Sequence, residues 1–117
     1  MKIAGLQTDI VWEDPEQNFA GARSLAALAV AGGARLLVLP EMFAVGFSMA
    51  PERVVPAAEA TRAFLVGLAR ELGVWILAGL PETGVDRNQS GGRAVNAALI
   101  VDPDGRERLR YLKIHPF

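Results

Sequence analysis

The sequence predicts an α/β fold: a mixed sheet with two helices on one face. Three observations carry this. Apolar runs alternate with helical periodicities in the order strand, helix, strand, helix, strand as far as Leu80. The turn-forming tetrapeptide Asp102-Pro103-Asp104-Gly105 then splits the last apolar stretch into two strands. Apolar residues make up 51% of the 117 residues, which is enough to bury a single small core.

Each element has its own signature. Lys2 to Asp9 reads as a short strand with Ile3, Ala4 and Leu6 as its apolar members. Asp14 can cap a helix whose first position is Pro15, and Gln17 stands at capping-box spacing. Phe19, Ala22, Leu25, Ala26, Leu28 and Ala29 give that helix one apolar face, and Gly32-Gly33 stop it. Arg35 to Leu39 is a continuous apolar run suited to a central strand, so the first helix is a crossover between parallel strands. Glu41 to Pro56, with two prolines and Gly46, reads as an apolar loop. A second helix spans about Ala57 to Leu72, its face formed by Ala60, Phe64, Leu65, Leu68, Ala69 and Leu72, and ends at Gly73. Val74 to Leu80 is the third strand, Pro81 to Gly92 a polar surface loop, and Ala94–Asp102 with Glu107–Ile114 an antiparallel hairpin.

Composition excludes several functions. With 12 basic and 13 acidic residues the net charge is −1, and the densest basic group is Arg106, Arg108 and Arg110, too little for a nucleic-acid footprint. The longest stretch without a formal charge, Ser24 to Ala34, is far shorter than the ~20 residues of a membrane helix. No signal-peptide pattern opens the chain, so a cytoplasmic location is expected. There is no cysteine, hence no thiol nucleophile or thiolate metal site, and the single histidine, His115, makes a metal centre unexpected. No cofactor is expected either: a Walker A loop and a Gly-x-Gly-x-x-Gly turn are both absent, which disfavours a nucleotide-binding domain.

Reactive groups of a parallel α/β sheet gather beyond the carboxyl ends of its strands. Two strands end alike, in Leu39-Pro40-Glu41 and Leu80-Pro81-Glu82. Glu41 leads into the apolar Met42-Phe43-Ala44-Val45, which should desolvate it and raise its pKa, whereas Glu82 leads into a polar segment that should keep it wet. Glu41 is therefore the better candidate general base of the two, although the tripeptide alone more often marks a structural ion pair. Lys113 sits between Leu112 and Ile114, where its ammonium calls for an anion or marks a guarded edge strand. Asn96, polar within an apolar strand, either bonds across the core or faces solvent, and His115 reads as a structural hydrogen-bonding residue.

In combination these segments say more. Leu37–Phe43 with its Pro-Glu, Asn96-Ala97-Ala98 followed by Asp102–Gly105, and Tyr111–Phe117 occur in that order, after an opening Lys2–Gln7 strand. The chain so resembles the nitrilase superfamily of carbon-nitrogen hydrolases over nearly its whole length. The resemblance implies an α-β-β-α sandwich of which residues 1–117 would form the N-terminal part, ending before the family's cysteine. Such a sandwich would cover the sheet face that two helices on one side leave bare. It implies catalytic roles for Glu41 as general base and Lys113 as cationic partner, a small-molecule amide substrate, and a homo-oligomeric complete protein. Glu41-Met42-Phe43 and Gly46-Phe47-Ser48-Met49 are most similar to the omega-amidase-like branch, which acts on amides of 2-oxo dicarboxylic acids. The alternative is a non-catalytic nitrilase-like module that binds a partner through its open sheet.

Overall fold

The computed structural model describes residues 1–84 and 93–114. Its elements are β1 (Ile3–Gly5), α1 (Pro15–Ala31), β2 (Leu36–Val38), α2 (Pro51–Leu72), β3 (Trp75–Gly84), β4 (Arg93–Val101) and β5 (Glu107–Leu112). The strands form one sheet in sequence order, β1 to β3 parallel and β3 to β5 antiparallel. The expected mixed sheet is therefore present. The helices pack on each other, with the Phe19 ring of α1 stacked on Phe64 of α2 at 4.4 Å and Phe43 tilted against both.

Strand parity divides the sheet into two unlike faces. Leu37, Ile76, Ala78, Leu80, Ala97, Leu99 and Val101 point to the helices and are buried. The alternate residues Leu36, Val38, Leu77, Ala98 and Ile100 are only half-buried, and Trp75, Leu109 and Tyr111 are exposed. Both helices thus cover one face, and the other presents an apolar surface.

The ends of the elements differ from the sequence reading in physically explicable ways. Asp14 caps α1 as expected, accepting from the Gln17 N–H at 3.1 Å, while the Gln17 side chain returns to the Asp14 carboxylate rather than to its backbone. Leu28, expected on the buried face, is 71% exposed, and Asn18 is buried instead. The Asn18 amide satisfies Val11 N–H, Val11 C=O and Ala44 C=O at 2.8 Å each, tying two loops to the helix. The second helix begins at Pro51, not Ala57: Pro51 occupies the first turn, where no N–H is needed, and Pro56 lies inside the helix on its exposed side, between the buried Val54 and Ala57. Ala60 is exposed and Thr61 takes its place in the core, its hydroxyl donating to Ala57 C=O at 2.7 Å. At the other end Gly73 adopts the left-handed conformation, φ 64°, that closes α2.

The largest correction concerns β3, which continues through Pro81-Glu82-Thr83-Gly84 rather than turning into a loop at Pro81. Pro81 pairs with Asn96, whose carbonyl accepts from Lys113 N–H on the far side at 2.9 Å. The Pro81 nitrogen therefore faces away from β4, along an edge that β2 has already left, and no ladder bond is lost. Residues 85–92 of the expected loop lie outside the described residues. The hairpin turn is as expected: Gly105 N–H donates to Asp102 C=O at 2.8 Å, and the Asp102 carboxylate accepts from the N–H groups of Asp104 and Arg106.

Candidate active site

Glu41 follows β2 and crosses over β3 at Gly79. A Cβ on Gly79 would stand 2.7 Å from the Glu41 Cα, so only glycine admits the crossing, and Met42 N–H is fixed to Gly79 C=O at 3.1 Å. Met42 itself has φ 56°, a costly conformation for a residue with a side chain. The turn sends Met42, Phe43, Ala44 and Val45 into the core and leaves Glu41 on the open sheet face.

There the sheet brings together the predicted pair. Lys113 Nζ donates to Glu41 Oε1 at 2.9 Å across 72 positions of sequence, and Asn96 Nδ2 donates to the same oxygen. Asn96 holds both partners, its side chain on the carboxylate and its carbonyl on the Lys113 N–H. Parity explains the meeting: Asn96 shares the open face with Ala98, and Lys113 shares it with Tyr111. Around them lies a hollow of about 460 Å³, whose walls include Val38, Leu77, Ala98 and Tyr111.

The electrostatics run opposite to the sequence expectation. The Glu41 side chain is 42% exposed, and the hydrogen bond from Lys113 holds its carboxyl below the usual range, against a smaller upward push from burial and with further help from Asn96. The apolar residues after Glu41 turn into the core and leave the carboxylate half exposed. Glu82, expected to be wet, is the buried glutamate, its side chain 5% exposed. It lies on the helix-covered face, paired with Arg62 of α2 and Arg110 of β5, and Arg62 also pairs with Glu107. Sequence reasoning did not foresee this cluster. Its signal was the strand parity that puts Glu82 in line with Ala78 and Leu80 once β3 is read through Pro81.

Among the described residues no group of three or more metal-ligating side chains exists, and no helix is long and apolar enough to cross a membrane. His115 lies outside the described residues.

The α/β layer thus gathers a carboxylate, an ammonium and an amide on its open face. The chain belongs to the carbon-nitrogen hydrolase family, whose family model matches residues 2–117. It is 34% identical over 124 residues to a nitrilase of Pyrococcus abyssi, covering 100% of this chain and 44% of the relative. It is 38% identical over 106 residues to a deaminated glutathione amidase of Synechocystis sp., covering 86% and 37%. An amidase structure from Nesterenkonia sp. superposes with a TM-score of 0.80 at 28% identity, over 100% of this chain and 44% of that one. Variants of that amidase carry acrylamide added at an active-site cysteine or bind butyramide. The chain thus spans less than half the length of these relatives.

Proposed function

We propose that this chain is the part of an amide hydrolase that supplies the general base Glu41 and the cation Lys113, and that the nucleophilic thiol comes from polypeptide outside these 117 residues. The observation that carries the reading is the Glu41–Lys113–Asn96 cluster on the open sheet face, beside an apolar-walled hollow. The absence of cysteine and the partial coverage of the relatives support the second part. Glu41, held ionised by Lys113, takes the thiol proton as the thiolate attacks the amide carbon. Lys113 faces the oxyanion that develops, and the protonated Glu41 returns its proton to the leaving ammonia as the thioester forms. Glu41 then accepts a proton from water, whose oxygen displaces the thiolate, and the acid leaves.

Small amides are the proposed substrates, with omega-amides of 2-oxo dicarboxylic acids the finer choice, supported by the Glu41–Phe43 and Gly46–Met49 segments. Lys113 is the one cation among the described residues around the hollow, so a distal carboxylate would be met by groups from elsewhere. The apolar open face favours a second reading, a partner-binding module without turnover. The test is ammonia release from butyramide and from an omega-amide of a 2-oxo acid by a complete hydrolase containing this chain, before and after alkylation of its thiols. Release abolished by alkylation is expected, with none from the 117 residues alone. No release, or release insensitive to alkylation, contradicts the reading.

A further inference from the structure

We infer that Glu82 is a positioning residue: through Arg110 it fixes β5 from the helix-covered side of the sheet and so sets the reach of Lys113 to Glu41 on the opposite side. The inference rests on the catalytic reading above. β5 is an edge strand, exposed at all six residues, and on its sheet side only the ladder to β4 holds it. Lys113 follows its last residue, so any splaying of β5 is delivered directly to the ammonium.

The same two strands support both ion pairs. β3 presents Gly79, over which Glu41 crosses, and three positions on Glu82; β5 presents Arg110 and three positions on comes Lys113. An odd spacing along a strand places the members of each set on opposite faces. One acid–base contact therefore lies on each side of β4: behind it Glu82 of β3 with Arg110 of β5, and in front of it Glu41, held over β3 at Gly79, with Lys113 just past the end of β5. Arg62 adds α2 to the rear contact, binding Glu82 and the first residue of β5, Glu107. A buried carboxylate shared by two guanidiniums is geometrically demanding, which suits it to hold a strand in register. No part of this cluster borders the hollow, so Glu82 acts through β5 and touches no substrate.

The experiment compares R110Q and E82Q with E41Q in a complete hydrolase, measuring kcat, KM and the pH dependence of kcat/KM. R110Q severs the direct link from Glu82 to β5, while the buried Glu82 keeps Arg62 as a partner and no orphan charge is left. In folded R110Q, kcat falls by up to about 100-fold with little change in KM, as expected of a displaced group. The acid limb of kcat/KM moves to higher pH, because Glu41 loses the ammonium that holds its carboxyl low; the other titratable group on the hollow among the described residues is Tyr111. R110K, which keeps the charge, recovers part of kcat. A folded R110Q or E82Q with unchanged kcat and acid limb, beside an inactive E41Q, overturns the inference alone. An E41Q that retains turnover overturns the catalytic reading instead.

Discussion

At the scale of single residues, the two Leu-Pro-Glu glutamates show how little a shared tripeptide decides. Glu41 and Glu82 both follow Leu-Pro, yet one is half exposed beside a lysine and the other is buried between two arginines. Glu82→Gln is expected to lower stability by about 1.5–3 kcal/mol, since charged hydrogen bonds are lost while both arginines can partly rehydrate. Urea unfolding measures this, and a change within 0.5 kcal/mol, an order-of-magnitude limit for a neutral surface site, contradicts it. Glu41 has the opposite profile. Its folded pKa is lowered, so its contribution to stability is present above the unfolded carboxyl value of about 4.3 and is lost as pH falls through the folded value. Exposure and salt weaken that contribution, and Glu41→Gln should flatten the acid side of the stability curve only slightly.

Among the elements, β3 underlies both acid–base clusters, because it supports Glu41 on one face and Glu82 on the other. Gly79→Ala would force its new methyl against the Glu41 backbone, and overpacking of this kind costs about 1–3 kcal/mol. The expected outcome is a lowered melting temperature together with loss of the lysine–carboxylate contact, seen as a rise in the Glu41 pKa by NMR titration; an unshifted titration would refute the packing argument. The helices and the hairpin were legible in sequence because caps, periodicity and turn residues are local signals. The extension of β3 was not, since whether Pro81 ends a strand depends on which neighbour its nitrogen faces, and that is set by β2 ending at Val38. The Pro51 start of α2 was missed for a related reason: proline breaks a helix interior but begins one equally well. The convergence of Glu41 with Lys113 was legible through family resemblance, while the role of Asn96 as the link between them needed the register of β4 with β5.

On the scale of the whole molecule, one sheet face is covered by helices and the other exposes Ile3, Trp75, Leu109 and Tyr111. A patch of this kind is a docking surface or an association hazard. The 117-residue chain in isolation should therefore self-associate and bind a hydrophobic dye, and sedimentation that finds a dye-negative monomer at high concentration would count against the open face. The same face holds Glu41, Asn96 and Lys113, so burial of the apolar surface by a further layer would also exclude water from the proposed reaction site.

The central claim, that Glu41 is the working base, is tested most directly by steady-state ammonia release from Glu41→Gln in a complete hydrolase whose folding is verified by circular dichroism. Glutamine keeps the shape and can still meet Lys113 and Asn96, but it cannot take the thiol proton. A fall in kcat/KM of at least about 100-fold is expected, within the range for loss of general-base catalysis. A folded Glu41→Gln enzyme with turnover within a fewfold of the unaltered protein would contradict it.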